Sequence, residues 1–151
     1  RMQRVALPRN VILIDDTYNA NPQSVEVALR SLARLRGRSR AIAVLGDMGE
    51  LGERAAEAHR AAGALAAALG IDFLFALGEF AEEVVAGARD AGMDPGCVYV
   101  GTDHQATGKA VSRVLQGDAW VLVKVSRSMR MERVVEAVTR CAEGTGCSTT
   151  C

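Results

Sequence analysis

The chain has 151 residues, the size of one ordinary domain, with 49% apolar and 24% charged residues, a soluble globular composition. Aromatics reach only 4%, so the core must be aliphatic, built from Val, Leu, Ile and Ala. Eighteen basic residues balance eighteen acidic ones, without the basic excess of a nucleic-acid binder, and no apolar run approaches membrane-spanning length.

The opening stretch, RMQRVALPRN, lacks the apolar core of a signal peptide, and the expected location is cytoplasmic. The chain begins with Arg1 rather than Met, which suggests a piece of a longer protein. Residues 3–7 read as a short strand. Val11–Asp15 is a continuous apolar run, as in a sheet buried on both faces. Asn21 then reads as an N-cap and Pro22 as the first helical residue. Val25, Leu29, Leu32 and Leu35 follow at helical spacing, and Arg36-Gly37 closes that helix.

Ala41–Gly46 is a second buried strand, followed by the glycine-punctuated loop DMGELGE. An Ala-rich helix is predicted over 53–69, a strand over Asp72–Leu77 and a helix over 79–91 ended by Gly92. A strand over Cys97–Val100 follows, then a helix capped by Thr102 or Asp103 and running to about Leu115. Gly117-Asp118 turns the chain into the strand Ala119–Val125. A last helix over 130–142 carries Met131, Val134, Val135 and Val138 on one face. The remainder, 143–151, has no periodicity and is expected to be disordered.

Strand and helix alternate five times from residue 11. Buried strands in alternation with helices imply an α/β fold in three layers, a mostly parallel sheet of about six strands covered on both sides. The first strand belongs at an edge, where antiparallel pairing is open to it. In such sheets ligands sit beyond the carboxyl ends of the strands. Three polar clusters fall there: Asp15–Asn21, Asp47–Glu53 and Lys124–Arg130.

The cluster DDTYNANP holds more polar residues than a helix cap needs. Tandem carboxylates repel unless a cation is near. They suit a metal, a ribose hydroxyl or an amine, whereas asparagine amides both donate and accept. Asp15, Asp16, Tyr18, Asn19 and Asn21 are therefore candidate site residues. The loop GDMGELGE follows a strand and precedes a helix, but Gly46, Gly49 and Gly52 are spaced GxxGxxG rather than GxGxxG. Its acids Asp47 and Glu50 would repel a pyrophosphate, so it is no dinucleotide fingerprint. GTDHQATGKAV contains Gly108-Lys109, yet six residues separate its glycines and Ala110 follows the lysine; it is no Walker A loop.

In VLVKVSRSMRMERVV the strand delivers Lys124, and the loop offers Ser126, Arg127, Ser128 and Arg130 before a helix. Helix N–H groups, hydroxyls and guanidinium together suit an anion. His59, two turns past the GDMGELGE loop, is a weaker candidate, and His104 reads as a surface or capping residue. Cys97, Cys141, Cys147 and Cys151 match no zinc spacing and are assigned no chemistry.

DDTYNANPQSVEVAL, AVLGDMGELGE with its later His59, and GDAWVLVKVSRSMRMERVVEAV together resemble the C-terminal domain of the Mur ligases. Within that family the resemblance is to the type that joins D-alanyl-D-alanine to UDP-N-acetylmuramoyl-tripeptide. It runs from Arg1 to about residue 142 and implies a Rossmann-like domain of a peptidoglycan-precursor ligase. The N-terminal UDP-sugar domain and the central ATPase domain would be its partners in one longer chain. ATP would phosphorylate the peptide carboxylate, and the dipeptide amine would attack the acyl phosphate. ATP and Mg2+ would serve the whole enzyme, with no metal held by this part, and this part alone would be inactive.

The resemblance also implies residue roles. Arg1 and Asp16 would contact the nucleotide. Asn19 and Asn21 would line the substrate cleft, and Ser126 and Arg127 would hold the incoming amine substrate through its carboxylate. The chain departs from the family where Val125 replaces a glycine; if positive φ were needed there, the loop would have to differ. Arg130 is also bulkier than the small residue usual at its position.

Two further readings compete. A related ligase could take another amino acid. A phosphoacceptor receiver domain would also open on VILIDD, but it needs an Asp at the end of the third strand counted from there, and DFLFALG ends without one.

Overall fold

The structure, a computed structural model, describes residues 2–144. Arg1 and residues 145–151, most of the segment expected to be disordered, lie outside the described residues. Six strands form one sheet: β1 (Gln3–Leu7), β2 (Val11–Asp16), β3 (Arg40–Leu45), β4 (Phe73–Ala76), β5 (Val98–Val100) and β6 (Ala119–Lys124). Their spatial order is β1-β2-β6-β3-β4-β5. β1 runs antiparallel to β2, and every other pair is parallel. This is the three-layer, mostly parallel α/β architecture that the alternation implies.

Five helices cover the sheet: α1 (Pro22–Leu35), α2 (Ala55–Ala68), α3 (Ala81–Asp90), α4 (His104–Arg113) and α5 (Glu132–Ala142). Strand side chains alternate between two cores, because successive residues point to opposite faces. Ile14, Ala41, Ala43, Leu74 and Leu122 pack with Leu29 and Leu32 of α1, Ala66 of α2 and Val84 of α3. Leu13, Ile42, Val44, Phe75, Val121 and Val123 pack with Val111 of α4 and Val134 and Val138 of α5. Both cores are aliphatic, as the scarcity of aromatics requires. Gly63 and Gly87 let α2 and α3 touch backbone to backbone. A Cβ on Gly63 would lie 1.9 Å from Val84 O, and one on Gly87 2.0 Å from Arg60 O.

The start of α1 shows how local sequence fixes an end. Asn21 Oδ1 accepts from Ser24 N–H at 2.8 Å, Ser24 Oγ accepts from Asn21 N–H at 3.0 Å, and Pro22 follows the cap. Such a reciprocal box satisfies two N–H groups that the helix itself cannot.

Three helix starts differ from expectation, each for a visible reason. The helix expected from 53 opens as a 3-10 turn over Gly52–Arg54, with Gly52 at φ +54°. The helix expected from 79 starts at Ala81, because Phe80 lies outside helical geometry at φ −101°, ψ 16°; its N–H and that of Glu79 are taken by Asp47. The helix expected from 130 starts at Glu132, after a 3-10 turn over Arg127–Met129 and a left-handed Arg130 at φ +49°. That conformation costs a non-glycine residue about 1–2 kcal/mol.

The loop after β6 accommodates Val125 without positive φ. Its side chain is fully buried. It fills the space that a side chain at residue 46 would need: a Cβ on Gly46 would lie 2.1 Å from Val125 Cγ2. The glycine absent at 125 is thus matched by a glycine present at 46.

Candidate functional site

Because β2, β6 and β3 are parallel neighbours, their carboxyl ends bring the three polar loops together. Asp16 and Lys124 are register partners on β2 and β6. Lys124 Nζ lies 2.9 Å from Asp16 Oδ2 and donates to Asn19 O at 2.6 Å. Lys124 is 4% exposed and Asp16 7%. A buried charge is stable only when paired and hydrogen-bonded, and each supplies the other's partner. Asp16 Oδ1 also accepts from Met2 N–H at 3.3 Å. The cation that the tandem acids call for is therefore Lys124.

Asp15 turns the other way, accepting from Thr17 Oγ1 and N–H. Tyr18 stands 55% exposed at the tip of this loop, with the Arg127 guanidinium 5.7 Å from its ring centroid. Tyr18 is the wall shared by two clefts. One, of about 490 Å³, is lined by Asp16, Asn19, Asn21, Gln23 and Lys124 among others. The second, of about 460 Å³, is lined by Asp15, Thr17, Arg127, Arg130 and Glu132 among others. Ser126 Oγ sits 3.1 Å from Ser128 Oγ. Asn21 lines the first cleft while its Oδ1 caps α1, which leaves its amide nitrogen for other partners.

The middle loop is built differently. Both Asp47 carboxylate oxygens are occupied, accepting from Glu79 and Phe80 N–H, and Gly78 at φ +122° leaves them room. His59 is 1% exposed and stacks on Phe80 with centroids 4.6 Å apart. Its Nε2 accepts from Met48 N–H at 3.0 Å and its Nδ1 lies 2.6 Å from Ala55 O, so the ring proton sits on Nδ1. One ring nitrogen thus serves the backbone of this loop and the other the first turn of α2. Glu50 lies on the exposed rim at φ +60°. Arg1 lies outside the described residues.

Sequence reasoning missed two residues here. Met129 Sδ accepts from Asp47 N–H at 2.9 Å, tying the β6 loop to the β3 loop. His104 Nε2 reaches Met129 O at 2.7 Å from the start of α4. No sequence signal marks a pairing across 25 residues between the first residue of a helix and a loop carbonyl.

Among the described residues no group of three or more His, Cys, Asp and Glu is placed to hold a metal ion. No helix among them is long and apolar enough to cross a membrane. Burial pushes the Cys97 thiol pKa up, with Asp94 adding to it, which disfavours the reactive thiolate.

A family model described as "Mur ligase, glutamate ligase domain" matches residues 1–127. A UDP-N-acetylmuramoyl-tripeptide–D-alanyl-D-alanine ligase of Buchnera aphidicola is 34% identical over 142 residues, covering 90% of this chain and 28% of that protein. The protein of the same name in Escherichia coli is 33% identical over 144 residues, covering 91% of this chain and 29% of its own length. The MurF ligase of Thermotoga maritima, solved in complex with ADP, superposes with a TM-score of 0.80 at 27% identity. That match covers 95% of this chain and 31% of the solved one. The chain thus spans under a third of the length of these relatives.

Proposed function

This chain belongs to the Mur ligase family, and from that premise we propose that residues 1–142 are the C-terminal domain of a MurF-type ligase. The whole enzyme joins D-alanyl-D-alanine to UDP-N-acetylmuramoyl-tripeptide in this reading. Its N-terminal and central ATPase domains lie in the rest of the longer chain, and the reaction runs in the cytoplasm.

The observation that carries the reading is the arrangement around Tyr18. A cleft with two guanidiniums, Arg127 and Arg130, adjoins one with amides and a neutralised acid. A dipeptide zwitterion needs both environments. Its carboxylate pairs with Arg127, assisted by Ser126, since guanidinium matches a carboxylate in a two-pronged hydrogen bond. Its amine lies toward Asn19 and Asn21. Asp16, paired with Lys124, keeps lone pairs to accept from a ribose hydroxyl, and Arg1 would be a further nucleotide contact.

In the first step a carboxylate oxygen of the tripeptide attacks the γ-phosphorus of ATP, and ADP leaves. In the second the dipeptide amine attacks the acyl carbon, loses a proton, and inorganic phosphate departs. This domain contributes position and charge rather than an acid or base of its own. Holding the amine in line converts an encounter into an intramolecular step. In this reading magnesium would accompany ATP in the whole enzyme, held largely by the domains outside this chain.

The test is turnover by the ligase carrying this chain, with D-alanyl-D-alanine compared with single amino acids. Preference for a single amino acid would sink the dipeptide assignment. The 151-residue chain alone should hydrolyse no ATP. Arg127→Ala should raise the dipeptide KM about tenfold or more, the loss of one charge-assisted contact. The ATP KM should stay within about twofold; an equal loss for ATP would contradict this role for Arg127.

A further inference from the structure

We propose that His104 is the positioning residue of the Ser126–Arg130 loop, latching it in the conformation that presents Ser126 and Arg127 to the cleft. The inference rests on the assignment of that loop to the amine substrate.

The loop has little local support for its shape. It makes one 3-10 turn and then passes through left-handed Arg130. Arg127 is exposed, and its described contact is the face of Tyr18, itself an exposed side chain. The direction of the guanidinium therefore follows from where the loop backbone is held.

Three tertiary contacts hold it on the side of β3. Val125, fully buried against Gly46, anchors the loop's root. Ser126 N–H donates to Asp47 O at 3.2 Å, and Met129 Sδ accepts from Asp47 N–H. Asp47 is fixed in turn by its two bonds to the start of α3. These contacts secure one side of the loop, facing β3. The opposite side is secured from α4, where His104 Nε2 meets Met129 O at 2.7 Å. A carbonyl only accepts, so Nε2 carries the proton and donates. Met129 is thus gripped at its side chain by the β3 loop and at its carbonyl by His104, two residues from Arg127.

His104 sits at the first position of α4, whose cap is already satisfied by Asp103 Oδ1 accepting from Ala106 N–H at 2.7 Å. The imidazole is not needed to start the helix. Its described hydrogen bond is spent on the loop alone.

Two measurements test the latch. In the 151-residue chain, amide hydrogen exchange of His104→Ala should speed up about tenfold or more at Ser126 and Met129. Exchange at Val44 and Leu122 in the core should stay unchanged, and His104→Gln, which keeps an N–H donor, should restore most of the protection. Unchanged exchange at Ser126 and Met129 in His104→Ala would overturn the latch. So would equal acceleration in the core, which would make His104 a general stabiliser. In the whole ligase, His104→Ala should raise the dipeptide KM about fivefold or more, with kcat and the ATP KM within about twofold. Faster loop exchange with an unchanged dipeptide KM would uphold the latch and remove the loop from the dipeptide site, separating the two ideas.

Discussion

The two ends of the sheet use the same polar residue types to opposite effect. At the amino end, Arg36 donates to Ser39 O, Gly70 O and Asp72 Oδ2 at 3.0, 2.6 and 2.8 Å. Asp72 Oδ2 also accepts from Ala41 N–H, and Asn10 pairs with Asp118. Arg40 donates to Val114 O with its guanidinium over Phe73. These charges close on protein. At the carboxyl end, Tyr18 and the Arg127 and Arg130 side chains point into open clefts. Polar groups that satisfy one another hold a fold together, whereas polar groups left facing solvent remain available to a ligand. Asp47, with both carboxylate oxygens engaged, departs from this, and the most enclosed exception is the Asp16–Lys124 pair inside the open end.

That exception provides the largest test. Lys124→Met leaves Asp16 buried without its cation and should cost about 3 kcal/mol in urea denaturation. Adding Asp16→Asn should recover much of it. A loss below about 1 kcal/mol would mean that the pair is not a support of the open end.

Asp72→Ala should cost about 1–2 kcal/mol by the same measurement, since it frees Ala41 N–H and one arm of a partly exposed Arg36. It should leave substrate binding untouched; a changed dipeptide KM would blur the division between the ends. Asn21→Ala should cost about 1 kcal/mol through the lost cap. Asn21→Asp keeps the cap oxygen and should keep that stability while raising the dipeptide KM, because it removes the amide nitrogen. An unchanged KM in Asn21→Asp would return Asn21 to a purely capping role. Smallest is Arg127→Ala, whose stability should shift by less than about 0.5 kcal/mol despite its large effect on the dipeptide. A loss near that of Asp72→Ala would break the comparison.

Much of the architecture was legible because it is locally encoded. The apolar runs from Val11, Ala41 and Ala119 mark buried strands, and Asn21-Pro22 marks a helix start. Topology alone then places the three polar loops at one edge. The site was legible only in part. Asp16 and Lys124 were candidates, but nothing local says that their strands are adjacent and in register. The capping role of Asp47 was hidden because the N–H groups it binds lie 32 and 33 residues further on. His104 looked like surface, and Val125 looked out of place until Gly46 was seen beneath it.

By itself the sequence determined the order of strands and helices, the cap of α1, an aliphatic core and a family resemblance. All of these follow from short-range periodicity, backbone preference and motif spacing. Only the tertiary structure decided that β6 inserts between β2 and β3. That insertion buries Lys124 against Asp16 and carries Arg127 beside Tyr18. The reason is physical: a side chain's charge, donors and size are fixed by its identity, but its partners are fixed by which distant strands pair. Pairing is a property of the whole sheet.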